Sequence, residues 1–459
     1  MAEEIKSLHD LINEDPEILD NINVLIEEKA AQSILTIFAD IHPADIAEII
    51  NHLSPGNAHY VFNLLDTETA SELILELDEN IREKILEETD ALKIADIVDE
   101  LDTDDATDIV SELPEQVAEQ VLDNIEPESS EEVKELLKYS EDTAGGIMNS
   151  DFVGVYEDAT IAGAIEQVQL KSKDIDHIYY IYVLKQNDEL LGYTPLKSLL
   201  IHPLNTKINT ILDEDILSVT PETDQEEVAN IMKKYDMVAI PVVDEKGIML
   251  GRITIDDVVD VIGEEAEEDI QKFAGLSEEE EISDSSLTIS KIRLPWLFVA
   301  LFGELVSALV LSSFQASIEK IFIASFFIPI VMAMGGSSGT QAAIVMVRRL
   351  TEHDIWLKDS YKKLSKEFLV GLFNGLICSA VLLLATHFIF KAEIEFSIVL
   401  SVSLIIIMVF ATVLGSTIPL FLKKFGADPA IATGPFVTTM NDIFALSIYL
   451  WIITFFFLR

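Results

Sequence analysis

Five apolar stretches occupy the part of the chain that follows Lys291. A helix needs about 20 predominantly apolar residues to cross the hydrocarbon core of a bilayer. The sequence therefore predicts five membrane-spanning helices, over residues 294–313, 321–347, 367–390, 396–422 and 431–458. The second and fifth stretches are long enough to be tilted, kinked or broken.

The loops between these stretches predict their orientation. Loop 348–366 contains six Lys and Arg residues, Lys423 and Lys424 begin the loop before the last stretch, and the loops of the opposite face contain only Lys320 and Lys391. Basic loops stay on the cytoplasmic side. The acidic N-terminus lacks the apolar segment of a signal peptide. We expect a multi-pass protein of the cell inner (plasma) membrane with a cytoplasmic N-terminus.

The rest of the chain is strongly acidic. Residues 1–290 contain 17 basic and 71 acidic residues, whereas the part from Lys291 onward contains 13 basic and 10 acidic ones. Such a surface repels phosphates, so we expect no nucleic-acid partner. Most of these carboxylates are typical of solvated helices, but the composition also permits cation sites. The single cysteine, Cys378, excludes a disulfide within the chain.

A few polar residues interrupt the apolar stretches. Glu304 and Asp442 are carboxylates at membrane depth, where an ionisable group is costly and usually functional. In the segment "GGSSGTQ" (335–341) the glycines suit close helix packing, and the hydroxyl and amide side chains indicate a polar turn. Gly434-Pro435 predicts a helix break, which is tolerated where the backbone lines a cavity. No Lys or Arg lies mid-span, so an unpaired carboxylate favours a cation path.

Two patterns organise the soluble part. Residues 1–138 repeat apolar residues at helical spacing between Asp and Pro residues, which predicts short stacked helices in a small superhelix. Residues 181–200 align without gaps on residues 240–259, and each copy reads as helix, strand, turn, strand, helix. This repeat resembles a pair of cystathionine-β-synthase-type (CBS) domains, a regulatory module that often binds adenine nucleotides.

Two acidic segments are candidate cation sites. The segment "DTDDATD" (102–108) places Asp104 and Asp108 on one helix face, where their repulsion would be relieved by a cation or by a capping role for Asp104. Residues 256–284 are too rich in carboxylates for an ordinary linker, and hard cations take oxygen ligands from such clusters. A helix from about residue 283 is expected to continue into the first span.

The order of these parts resembles the MgtE family of magnesium channels over essentially the whole chain. The matching segments are "YSEDTAGGIM" (139–148), "DHIYYIYV" (176–183), "TDQEEVA" (223–229), "RLPWL" (293–297), "GGSSGTQ" (335–341), "DPA" (428–430) and the span that contains Asp442. The resemblance implies a homodimer with a pore between its subunits, in which Asp442 binds Mg²⁺.

The resemblance also implies Mg²⁺ sites in the soluble part that close the pore. Their carboxylates match Asp104, Asp108, Glu226, Asp236, Asp257, Asp260, Glu268 and Asp269. The family commonly has a "GGNxGNQ"-like segment and an Asn before the proline of the fifth span. This chain has Ser337, Thr340 and Gly434 at those places, and with Thr438 we expect these residues to line the pore.

The predicted fold is multi-domain. It comprises an α-helical superhelical N-domain (1–138), an α/β CBS pair (139–262), an acidic linker with a connecting helix (263–292) and an all-α transmembrane domain (293–459). The predicted function is a Mg²⁺ channel closed by Mg²⁺, with ATP expected at the CBS pair at residues that the sequence does not assign. The alternatives are a secondary transporter of Mg²⁺ or Co²⁺ and a nucleotide-sensing membrane protein. We find no nucleophile–base pair or P-loop and expect no enzyme.

Overall fold

The computed structural model describes residues 17–39, 41–173, 175, 177–276, 286–352, 360–425, 428–432 and 434–458. The chain divides into two compact units, Met1–Gly263 and Glu264–Arg459. The first unit contains short helices followed by two small β-sheets, and the second contains the long apolar helices. The predicted fold class is confirmed in both units.

Among the described residues, the first unit begins with ten short helices. They are α1 (Glu17–Glu27), α2 (Ala31–Phe38), α3 (Pro43–Asn51), α4 (Pro55–Phe62), α5 (Thr67–Leu75), α6 (Glu79–Glu88), α7 (Ala91–Val98), α8 (Thr103–Ser111), α9 (Glu115–Asn124) and α10 (Pro127–Leu136). From α3 onward most helices pack against the next but one, as in α3 with α5 and α8 with α10. This packing buries one continuous apolar core.

Each of these helices spans two or three turns, and capping side chains and prolines mark where several of them begin. The Asp66 side chain accepts a hydrogen bond from the backbone N–H of Thr69, and that of Asp90 accepts one from Leu92. Such caps satisfy donors that a helix start leaves without partners. Pro43 and Pro55 occupy the first turns of α3 and α4, where the missing N–H costs nothing.

Two similar α/β modules follow. The first has β1 (Gly154–Tyr156), α11 (Ile161–Lys171), β2 (Tyr180–Leu184), β3 (Leu190–Pro195) and α12 (Leu196–Ile201). The second has α13 (Gln225–Tyr235), β4 (Ala239–Val243), β5 (Met249–Thr254) and α14 (Ile255–Ala274). Val183 pairs with Gly192 in the first hairpin and Val242 with Gly251 in the second, each just before a register shift. This shared register confirms the internal repeat.

A buried arginine ties the two modules together. Arg252 is 5% exposed. Its Nε donates to the carbonyl of Asp151 at 2.9 Å, and its Nη1 donates to the carbonyl of His177. The two hairpin turns also pair with each other, because the Leu190 N–H donates to the carbonyl of Gly247. The modules therefore form a CBS pair with shared hydrogen bonds.

The described part of the second unit contains long helices and one short helix, α16. They are α15 (Ser286–Ser313), α16 (Gln315–Lys320), α17 (Ile328–Glu352), α18 (Ser360–Phe388), α19 (Ile394–Lys424) and α20 (Gly434–Phe457), with short 3₁₀ turns at Phe322–Phe327 and Pro429–Ala432. Within the described residues, five of these helices are long and apolar enough to cross a membrane, which is the number that the sequence predicts. As expected, α15 begins before the first apolar stretch and continues through it.

The polar segment 335–341 is not a turn, contrary to the expectation from its composition. It lies inside the continuous helix α17. Its glycines serve close packing instead. A Cβ on Gly339 would lie 1.8 Å from Asn441 Nδ2, and a Cβ on Gly415 would lie 2.2 Å from the carbonyl oxygen of Gly339. Membrane helices tolerate glycine where their backbones approach this closely.

Gly415→Val is expected to prevent α17 and α19 from packing, because the added side chain would overlap the carbonyl of Gly339. We expect loss of the monodisperse peak in size-exclusion chromatography, or a melting temperature in detergent at least ~10 °C lower. Gly263→Ala is the control, since no atom lies within 4 Å of its added Cβ. A wild-type melting temperature for Gly415→Val would contradict the observed close packing of α17 against α19.

Candidate functional site

Asp442 lies in α20 and faces an open cavity of about 460 Å³. The cavity is formed by α17 and α20 and is lined by Met332, Ala333, Gly336, Ser337, Thr340, Gln341, Ile344, Thr438 and Asp442. Three predicted pore residues, Ser337, Thr340 and Thr438, therefore lie beside Asp442. The fourth, Gly434, is the first residue of α20, one turn before Thr438.

Hydroxyl groups connect the two helices at this cavity. Thr340 Oγ1 lies 3.2 Å from Thr438 Oγ1, and Thr438 Oγ1 donates to the carbonyl of Gly434 at 3.0 Å. Gly336 of α17 lies beside the carboxylate, since a Cβ there would be in ordinary contact with Asp442 Oδ1 at 3.5 Å. The site thus presents one carboxylate with several neutral oxygen atoms, the ligand type that hard cations prefer.

A second carboxylate reaches this site from the first span. The side chain of Glu304, in α15, lies within hydrogen-bonding reach of Asp442. The neighbouring Gly303 explains the approach, because a Cβ there would lie 1.7 Å from Thr439 Cγ2. The sequence singled out both carboxylates separately but gave no reason to place them together.

A cluster of aspartates lies in the first unit, where α8 meets the start of α14. Asp104 is 8% exposed, and its Oδ1 has no hydrogen-bond partner among the described residues. Burial, and then the charges of Asp105, Asp257 and Asp102, raise the pKa of Asp104 well above 3.8. Burial, and then the charge of Asp257, raise the pKa of Asp105 to about 7. The cluster is therefore short of positive charge.

Hydrogen bonds fix the start of α8 beside the CBS pair. Thr103 Oγ1 donates to Asn149 Oδ1 at 3.2 Å, and the backbone N–H of Ser150 donates to Thr103 Oγ1 at 2.9 Å. The N-cap of α8 is Asp102. A capping role for Asp104 was therefore wrong, because this residue lies inside the first turn and faces Asp257.

The predicted cation residues of the CBS pair lie in different places. Asp257 accepts hydrogen bonds from the N–H and Oγ1 of Thr254, and burial raises its pKa. Burial, and then the charge of Asp256, also raise the pKa of Asp260. Glu226 and Asp236 lie at opposite ends of α13, about 15 Å apart along the helix axis.

Asp108 is exposed and one turn beyond Asp104, although its charge still acts on Asp105. The sequence analysis therefore named Asp104 and Asp257 as candidate cation ligands but did not name Asp105, which lies in the same cluster. The missed signal is its position in "DTDDATD", where Asp105 follows Asp104 directly and shares the first turn of α8.

In the second unit, the end of α14 contacts the segment before α20. Lys272 Nζ lies 2.5 Å from Glu268 Oε1 and 2.7 Å from Asp428 Oδ2. Burial opposes its charge, but the hydrogen bonds with Asp428 and Glu268 raise the pKa of Lys272 to about 12. Burial, and then the charge of Asp428, raise the pKa of Asp269. Asp428 also caps the 3₁₀ turn by accepting from the N–H of Ala430 at 2.8 Å.

The predicted cation ligands thus fall into separate groups. Within the described residues, no three Asp, Glu, His or Cys side chains converge into a ready-made metal site. The groups around Asp257 and Asp269 instead hold carboxylates that are close enough to affect one another's charge. Such an arrangement can bind a hydrated cation or one that draws the ligands together.

Comparison with known proteins identifies the family. Residues 328–452 match MgtE, described as a divalent cation transporter, residues 41–142 match the MgtE intracellular N domain, and residues 208–264 match the CBS domain. The magnesium transporters MgtE of Enterococcus faecalis and of Thermus thermophilus are each 34% identical to this chain. Each match covers 70% of this chain and 71% of the relative.

A solved structure matches the soluble part. It is the cytosolic domain of the Mg²⁺ channel MgtE in complex with ATP, with a TM-score of 0.50 and 29% sequence identity. The match covers 53% of this chain and 99% of that structure. With five candidate spans following this part, the protein is a multi-pass membrane protein. The chain belongs to the MgtE family of magnesium transporters.

Proposed function

We propose that this chain is a Mg²⁺ channel of the cell inner membrane, with its N-terminus in the cytoplasm and a pore between two copies. The observation that carries the proposal is the cavity at Asp442, in which a carboxylate at membrane depth is surrounded by hydroxyl and amide side chains. Mg²⁺ gives up its water reluctantly and usually contacts one or two carboxylates. Six waters occupy on the order of 180 Å³, which this cavity accommodates.

The pore side chains suit a hydrated ion. Ser337 and Thr340 carry hydroxyls where the family commonly has amides, and these groups and the Thr438 hydroxyl can donate to or accept from the water shell of the ion. Gly434 contributes only its backbone, whose carbonyl accepts a hydrogen bond from Thr438. Selection of Mg²⁺ would then come from the size of the shell and the charge of Asp442, while the hydroxyls orient water.

We further propose that the soluble carboxylates sense Mg²⁺ and close the channel. Asp104, Asp105 and Asp257 lie close together with raised pKa values, so a divalent cation would relieve their repulsion. A ligand shifts a conformational equilibrium only when it binds one state better. The state that brings α8 and α14 together would be the one that Mg²⁺ favours. The remaining members of this proposed sensor are Asp108, Glu226, Asp236, Asp260, Glu268 and Asp269.

An adenine nucleotide at the CBS pair is part of the proposal. It rests on the ATP complex of the related cytosolic domain. In this chain Thr254 Oγ1 is hydrogen-bonded to Asp256 and Asp257, and these three polar side chains, which would suit contacts with a ribose, lie at the acidic cluster. Nucleotide and Mg²⁺ binding would therefore influence each other.

A coupled secondary transporter is the second candidate. The contact between Glu304 and Asp442 favours it, because a pair of carboxyls in the membrane can exchange a coupling ion for the substrate. Discrete single-channel currents of reconstituted protein would exclude slow alternating access. An ion flux no faster than that of alternating-access transporters, without single-channel currents, would favour the second candidate.

Asp442→Asn is expected to reduce Mg²⁺ uptake into proteoliposomes by at least ~10-fold, because it removes the charge that the ion meets in the cavity. The variant preserves the shape of the side chain, so the protein should elute from size-exclusion chromatography like the wild type. Glu319→Gln, on the short exposed helix α16, is the matched control and should transport normally. Normal uptake by Asp442→Asn would exclude a pore role for Asp442.

Limited proteolysis of the full-length protein is expected to slow as Mg²⁺ rises through the millimolar range, because the bridged state of the soluble unit is more compact. Asp257→Asn should weaken this protection, since it removes one charge from the cluster. Glu119→Gln, on the exposed face of α9, should retain it. Equal cleavage of the wild type with and without Mg²⁺ would contradict the sensor, whatever the result for Asp442.

The aspartate cluster also predicts an unusual pH dependence for the isolated first unit. The folded state binds protons at Asp105 up to about pH 7, whereas the unfolded chain releases them near pH 3.8. Stability therefore decreases as pH rises from about 4 to 7. We expect a melting temperature about 5 °C lower at pH 8 than at pH 5.5 without divalent cations.

Asp105→Asn tests the origin of this dependence. It should flatten the change between pH 5.5 and pH 8 and raise the melting temperature at pH 8, because it removes a charge that burial disfavours. Glu119→Gln should leave the wild-type profile unchanged. An equally steep profile in Asp105→Asn would assign the dependence to other groups.

A further inference from the structure

The first and last spans meet at the level of Asp442. Gly303 leaves no room for a side chain against Thr439, so α15 approaches α20 closely at this point. Glu304 follows directly and reaches the carboxyl of Asp442. The close approach therefore places two carboxyl groups, one from the first span and one from the last, at the same depth within a single chain.

Two carboxylates this close repel each other unless they share a proton or a positive charge lies beside them. The sequence supplies none at this depth. In α15 the nearest basic residue is Arg293, about 16 Å from Glu304 along the helix axis, and no Lys or Arg lies between Lys424 and Arg459. A cation from solution would supply this positive charge, and it would fit the adjoining cavity.

A second polar side chain lies near Glu304 on α15. Ser307 lies one turn after Glu304 on α15 and is 3% exposed, and among the described residues no hydrogen-bond partner reaches its Oγ. Glu304 itself is exposed on the single chain. A carboxylate on a membrane helix rarely faces lipid and instead lines a cavity or a water-filled path.

We propose that Glu304 is a second carboxylate ligand of the transported divalent cation, paired with Asp442 of the same chain. This inference rests on the proposed transport function and names a further residue of that path. The pair supplies a formal charge of −2, which matches a divalent ion and disfavours a monovalent one. Ser337, Thr340 and Thr438 then contribute neutral oxygens to the water shell.

The main test compares Mg²⁺ uptake by full-length wild type, Glu304→Gln, Glu304→Asp and the control Glu319→Gln in proteoliposomes. Glu304→Gln should raise the half-saturating Mg²⁺ concentration by at least ~10-fold, as loss of a metal contact does, and should increase Na⁺ leak relative to Mg²⁺ flux. Glu304→Asp keeps the charge and should recover part of the affinity. Glu319→Gln should match the wild type.

A structural role for Glu304 gives a different result. If this side chain only joins α15 to α20 as a neutral hydrogen-bonding group, Gln replaces it and the half-saturating concentration stays at the wild-type value, which would overturn the inference. Failure of the proposed function is distinguishable, because the wild type itself would then show no uptake that depends on Asp442.

Carbodiimide labelling of the wild-type protein provides a test that needs no variant. Hydrophobic carbodiimides modify membrane carboxyls, and mass spectrometry reports each site. Mg²⁺ should protect Glu304 and Asp442 over the same concentration range. Protection of Asp442 with undiminished labelling of Glu304 would also overturn the inference.

Discussion

Repulsion between neighbouring carboxylates is the interaction on which the proposed activity of both units depends. Burial disfavours the charged form of a carboxylate, and a like charge nearby disfavours it further. Asp104 and Asp105 experience both effects at the start of α8, and Glu304 and Asp442 meet inside the membrane unit. A divalent cation bound at either place would relieve this repulsion, so in the proposed function the same ion is both the substrate and the signal.

Close helix packing places the membrane carboxylates. Gly339 lies against the side chain of Asn441, and Gly415 lies against the carbonyl of Gly339. At these two glycines no side chain separates α17 from α20 or α19 from α17. Asn441 is 1% exposed, and within the described residues neither of its amide atoms has a partner. An unsatisfied amide is costly at membrane depth. Its tight fit against Gly339 fixes the rotation of α20 that directs Asp442 toward the cavity.

Much of the fold follows from the sequence, since hydropathy and internal repeats are local properties. The five spans and the pairing of Val183 with Gly192 and Val242 with Gly251 are examples. The helical state of residues 335–341 was missed, because glycine weakens helices in water but favours close packing in membranes. The contact between Glu304 and Asp442 was also missed. It depends on the relative rotation of two helices far apart in sequence, which hydropathy does not determine.

The acidic groups differ in how their charge is balanced. Lys272 contacts Glu268 and Asp428 beside Asp269, so this group keeps a formal charge of −2 after its own ammonium is counted. Burial raises the pKa of Asp257, and the hydrogen bonds from Thr254 and the charge of Arg252 oppose only part of this effect. The pair in the spans has no basic residue at its depth. In the membrane a cation would therefore meet carboxylates that no basic side chain balances, whereas in the soluble groups a basic side chain already balances part of the charge. This difference suits the proposed path, which attracts the ion strongly, and the proposed sensors, which respond only when the ion is plentiful.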